Sequence, residues 1–232
     1  MDDILELRNE AAKRPVQGVW ARGGPVFSHL GEDTVRGLEG HTIASFGDAA
    51  SLGFWSSASG LGVTGLFEAG AIAVGQATML FPTLLVYSGL VPFIAGLFLY
   101  RRNNAFLASA FCSLGALNLT RGLLLLVEAG GLLPQGRASD LLQGCMLESF
   151  GYVALSLSIA AWRINVVAML MTGFAGLGYL LAGLSLLAGW TQTGRIGGYL
   201  MIASALAAFY GGTAVAVNTA WQREVLPILG EA

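Results

Sequence analysis

Six stretches of roughly 20 apolar residues, near 50–69, 76–100, 104–127, 140–162, 165–188 and 196–220, leave this chain few ways to fold. Each matches the helix length that crosses the hydrocarbon core of a bilayer. In lipid every backbone N–H and C=O must be bonded internally, so runs of this length become helices. The expectation is an all-α, polytopic membrane protein with six transmembrane helices. The composition agrees, because 55% hydrophobic and 11% charged residues with a mean hydropathy of +0.67 would leave a soluble 232-residue fold short of surface charge.

An even number of spans puts both termini on one side, and the arginines at the span boundaries choose the side. Arg101, Arg102, Arg163 and Arg223 fall together with the basic residues of the N-terminal stretch, against only Arg137 and Arg195 opposite. The positive-inside rule makes the richer side cytoplasmic, in a bacterial-type inner (plasma) membrane. The opening MDDILELRNE has no basic-then-apolar build of a signal peptide. Residues 1–47 read as a polar cytoplasmic extension ahead of a transmembrane domain at 48–232. Ile4, Leu5, Leu7, Ala11 and Ala12 fit one face of a short helix capped by Asp2 or Asp3 and stopped at Pro15. The extension is either an idle tail or a docking arm for partners in a membrane complex.

Other chemistry finds no footing. A net charge of −2 and the lack of any DNA or RNA motif argue against a nucleic-acid partner. Both histidines, His29 and His41, lie in the extension, and there is no CxxC, HExxH or P-loop, so no catalytic residue, metal or cofactor is assigned. Gly60-Leu61-Gly62-Val63-Thr64-Gly65 lacks the strand of a nucleotide fold and reads as close helix packing. Cys112 and Cys145 belong at different depths and read as small packing residues rather than a bridge.

The stretch Leu99–Thr120, LYRRNNAFLASAFCSLGALNLT, carries a family likeness. A basic turn leads into Asn103-Asn104-Ala105-Phe106-Leu107 and then Ser109-Ala110-Phe111-Cys112-Ser113-Leu114-Gly115. This resembles the third-helix signature of the acetate uptake transporter family, the succinate-acetate permeases: Gly-Asn-Thr-Phe-Gly, then Thr-Ala-Phe-Ser-Ser-Tyr-Gly. Val225-Leu226-Pro227-Ile228 after the last span matches the family's Val-Leu-Pro-Ile. The family's first-helix motif, Asn-Pro-Ala-Pro-Leu-Gly-Leu, corresponds to Asp48-Ala49-Ala50-Ser51-Leu52-Gly53-Phe54, which keeps Ala50, Leu52 and Gly53 and loses both prolines. Asp48, Leu52 and Gly53 are the gate-motif positions. The resemblance implies a central pore in each protomer, assembly as homo-oligomeric rings, commonly hexamers, and a pinch built by helices one, three and five. At those positions stand Ser57, Leu114 and Met171 or Thr172, where the family has bulkier groups. Such a ring is wider and wetter unless Phe54, Trp55 or Phe174 refills it.

Arg121, Glu68, Glu128 and Glu148 lie within or near the apolar runs, where ionised groups need a partner, water or an interface. Counting about 1.5 Å of rise per residue puts Arg121 and Glu148 at similar depth on sequential helices, so they are expected to pair. Glu68 is either solvated near the outer surface or joined to Arg121. Asn118, Thr120, Thr172, Asn165 and Asn218 are either passage-lining or bonded to neighbouring backbone. The sequence thus points to a transporter or channel for acetate- or succinate-like small carboxylates, its path drawn through Ser57, Leu114, Thr172, Arg121, Glu148, Asn104 and Asn118. The rivals are a passive small-solute channel and a non-transporting subunit of a larger membrane complex.

Overall fold

The structure, a computed structural model, describes residues 49–72, 80–132 and 136–228. The N-terminal extension and Asp48 lie outside the described residues. Six helices follow in order: α1 Ala50–Glu68, α2 Thr83–Arg101, α3 Ala105–Ala129, α4 Arg137–Ala161, α5 Val166–Ala188 and α6 Thr191–Trp221. Among the described residues, α2 to α6 are five helices long and apolar enough to cross a membrane. At 19 residues α1 has the length, but its serines and glycines dilute its hydropathy. Exposed leucine, isoleucine, tyrosine and tryptophan side chains such as Leu206, Ile159, Tyr152 and Trp162 cover the outside of the bundle, the surface that lipid demands.

The helix ends differ from the hydropathy reading where a polar turn extends an apolar run. α4 starts at Arg137 and α6 at Thr191, so α6 reaches 31 residues, about 46 Å. Arg137 has a reason to be helical and folded inward: its guanidinium donates to the carbonyls of Leu186, at 2.7 Å, and Leu187. A cation there satisfies the free carbonyls at the end of α5, where the helix dipole favours positive charge. Asn104 and Asn165 cap α3 and α5, their Oδ1 atoms accepting from Leu107 N at 3.2 Å and Ala168 N at 2.6 Å. Both asparagines are therefore occupied as caps.

The extensively packed pairs are α4/α5, α5/α6, α1/α6 and α2/α3. Each is built around glycines facing each other. A Cβ on Gly65 would meet Gly198 O at 2.7 Å and one on Gly198 would meet Gly65 O at 2.6 Å, and Gly178 and Gly197 stand in the same relation across α5/α6. Backbones approach this closely only where neither side has a side chain. The α3/α4 pair is sparsely packed by comparison.

The first half of α2 is a π-helix, Thr83–Leu90, running into α-helix from Val91. Pro92 has no N–H to give to the carbonyl four residues back, that of Ser88. Asn118 on α3 fills the gap, its Nδ2 donating to Ser88 O at 2.8 Å, while Ser88 Oγ donates to Thr83 O at 2.7 Å. Gly60 of α1 lies against both Ser88 and Asn118, leaving no room for a larger residue. Asn118→Leu should strand a buried carbonyl at a cost of about 1–3 kcal/mol. Thermal melting in detergent checks this, and an unchanged midpoint would mean that Ser88 O finds another donor.

Candidate functional site

Three helices that run in the same direction, α1, α3 and α5, present matching stripes. On α1 these are Ser57, Leu61, Thr64 and Glu68; on α3 Ala110, Leu114, Leu117 and Arg121; on α5 Ala168, Thr172, Ala175 and Tyr179. The spacing of four, three and four keeps each set on one helix face. Of these twelve side chains only Leu114 and Glu68 are not fully buried. Ala110, Leu114 and Leu117 of the α3 stripe and Thr172, Ala175 and Tyr179 of the α5 stripe, with Phe150, Val153, Ala154 and Leu157 of α4, line an apolar cavity of about 30 Å³ at the sparse α3/α4 contact. That volume holds a water molecule or a methyl group.

Parallel contacts at seven-residue intervals set α1 against α3. Phe111 seats its ring on Gly53, and seven residues on in both helices Asn118 meets Gly60. Phe54 meets Phe111 edge-to-face with ring centroids 5.1 Å apart, and both rings are buried. This aromatic plug lies one turn N-terminal to Ser57 and Leu114. Of the three side chains named as refill for the narrowing, Phe54 alone stands in this plug. Trp55 turns to α6, donating to Thr213 Oγ1 at 3.5 Å, and Phe174 lines an outer groove between α4 and α5. Leu52 is exposed.

The charged partner of Arg121 is Glu68, not Glu148. Arg121 Nη2 lies 2.9 Å from Glu68 Oε1, with the two side chains 7% and 11% exposed. Glu148 packs its carboxylate against Gly183 on the α4/α5 side. The facing of α4 accounts for the difference: Glu148 is two residues, about 200°, round the helix from the cavity-lining Phe150. Glu68 is placed by its stripe to cross from α1 to α3.

Thr172, Thr120 and Asn218, polar side chains considered for the passage, are bonded to backbone. Thr172 Oγ1 donates to Ala168 O at 2.7 Å and Thr120 Oγ1 to Ala116 O at 2.8 Å. Asn218 clasps the segment after α6, its Oδ1 accepting from Val225 N at 2.8 Å and Leu226 N at 2.9 Å, while Tyr210 donates to Pro227 O at 2.7 Å. This clasp gives Val225-Leu226-Pro227 its structural sense. Cys112 packs on Gly96, whereas Cys145 is exposed rather than a packing residue.

Among the described residues, three buried side-chain polar atoms have no hydrogen-bond partner: Ser57 Oγ, Arg121 Nη1 and Tyr179 Oη. They fall one each on α1, α3 and α5. Tyr179 was not singled out in the sequence, although it follows Thr172 by seven residues as Arg121 follows Leu114. That shared offset in parallel helices was the signal available.

Comparison with known proteins settles the kinship. The model of the GPR1/FUN34/yaaH family matches residues 32–227. The chain belongs to the GPR1/FUN34/yaaH family. Among solved structures, it is similar to the bacterial acetate channel SatP, with a TM-score of 0.72 and 23% identity over 81% of this chain and 99% of that one. At that identity the likeness shows the shared fold. Comparison with curated proteins finds no match. Family membership and the apolar helices together make this an integral membrane protein. Within this family fold, the chain carries a buried arginine–glutamate bridge and a tyrosine on the stripes where the narrowing is expected.

Proposed function

We propose that the chain is a membrane passage for small carboxylates of the acetate and succinate kind, running along the shared face of α1, α3 and α5. The observation that carries this reading is the placement of Ser57 Oγ, Arg121 Nη1 and Tyr179 Oη, unpartnered and buried, on those three helices. Buried polar groups are ordinarily satisfied, and exceptions concentrate where something passes or binds. The likeness to a channel described as conducting acetate supports the solute class. The aromatic plug of Phe54 and Phe111, ahead of Ser57 and Leu114, is the narrowing in this reading. Ring-shaped homo-oligomers with one passage per protomer, and a cytoplasmic extension at residues 1–47, complete it on the strength of the family resemblance and the sequence pattern.

Labelled acetate uptake into vesicles reconstituted with the purified chain tests the reading. Protein-dependent uptake is expected, saturating and driven by an imposed pH gradient if protons are coupled, and linear and indifferent to the gradient if the route is passive. No uptake, together with stoichiometric co-purifying membrane subunits, would replace it with the scaffold reading.

Orientation is a separate expectation. Arg101 and Arg102 are exposed in the turn between α2 and α3. Cysteines placed there should react with an impermeant reagent only from the cytoplasmic face, and labelling from outside would invert the topology.

A further inference from the structure

Two of the three unpartnered atoms belong to one cluster. Arg121 is 6% exposed and Tyr179 2% exposed, and the tyrosine lies within electrostatic reach of both Arg121 and Glu68. The guanidinium is a planar fork of donors without an acceptor, and here one arm, Nη2, is held by Glu68 while Nη1 is left over. Tyr179 also lines the cavity, and through it the cluster borders the apolar space. A charged donor and a hydroxyl donor in a place shielded from water call for an anionic acceptor, because charge-assisted bonds are the strong ones and unmade ones are costly.

We infer that Arg121 Nη1 and Tyr179 Oη form a binding site for the carboxylate of a short aliphatic monocarboxylate, whose methyl group enters the cavity lined by Leu114, Leu117 and Ala175. Glu68 remains in place and holds the guanidinium. The inference rests on the reading of the chain as a carboxylate passage and narrows it. Three features select the ligand. With Glu68 holding Nη2, the unpartnered donors are Arg121 Nη1 and Tyr179 Oη, enough for one carboxylate and none for a second. A dicarboxylate would put its other carboxylate among leucines and alanines, where an unpaired charge is expensive. The cavity of about 30 Å³ has room for a methyl group. Inorganic anions share the carboxylate's acceptor chemistry but bring no apolar group to the cavity.

The experiment is equilibrium binding of labelled acetate to the full chain in lipid nanodiscs, alongside flux in vesicles. Acetate should bind, with succinate and chloride each competing at least tenfold less well. Tyr179→Phe removes one hydroxyl from a well-packed ring, so the protein should melt no lower than the wild type while acetate affinity falls about tenfold. Arg121→Lys keeps the charge, loses the fork and should weaken binding further. Unchanged acetate affinity in a folded Tyr179→Phe protein overturns the site. Chloride competing as well as acetate overturns the carboxylate assignment. Flux through a wild-type protein that binds no acetate overturns the site and leaves the passage standing. Binding that is lost in Tyr179→Phe, in a chain that conducts nothing, keeps the site and removes the passage.

Discussion

Arg121→Leu and Glu68→Leu, made singly, are each expected to cost about 3–5 kcal/mol of stability, and the double leucine protein to recover most of it. Each single change leaves an ionised group facing an apolar neighbour in a place where the native pair is 7% and 11% exposed. The double change removes both desolvation penalties at once and leaves side chains suited to a helix interior. Melting of the purified proteins in detergent, with the fraction recovered as a single species, reads the effect. Glu148→Gln is the control: Glu148 sits on the α4/α5 side and has no part in the Arg121 pair, so its melting midpoint should stay close to that of the wild type. Two single mutants that both melt normally would show that the pair is solvated in the membrane.

Phe111→Ala should be as costly, about 3–5 kcal/mol, because the ring is fully buried and its removal leaves a void rather than a surface. Gly53, on which the ring sits, has no side chain to move into the gap, and the edge-to-face contact with Phe54 is lost as well. Phe111→Leu should cost clearly less. If the two rings form the narrowing, the alanine protein that survives should also pass carboxylate faster than the wild type. A melting midpoint within a degree or two of the wild type would mean that the helices close over the void. Slower flux would place the narrowing elsewhere.

The helices were legible in the sequence because membrane insertion makes length and hydropathy almost sufficient. The exceptions are instructive. α1 falls short of the apolar stretch found in α2 to α6 because its glycines serve contacts with α2, α3 and α6, and the first turn of α6 is polar because it extends past the apolar run. The π-helical start of α2 was not foreseen, although Pro92 signals a missing backbone donor. What completes it is Asn118, a residue on another helix. The site was legible only in part for the same reason. Counting residues along a helix gives position along its axis and nothing about which way a side chain faces. The partner of Arg121 depends on the direction in which each stripe faces, which chose Glu68 over Glu148. Tyr179 looked like one more apolar residue until α5 was set beside α3.

The uneven lacing of the bundle has a mechanical consequence. α4, α5, α6 and α1 form one chain of glycine-bonded neighbours, and α2 is tied to α3 by glycine contacts and by the Asn118 strut to the Ser88 carbonyl. Work needed to separate two helices rises with the contacts between them, so the wall yields first between α3 and α4, where contacts are few and the cavity already lies. The protein is in effect a clasp whose jaws meet beside Leu114 and Phe150. A small outward swing of α4 and α5 as one leaf would enlarge the interior, keep the Gly144–Gly183 contact inside the leaf and turn on the Gly178–Gly197 seam with α6.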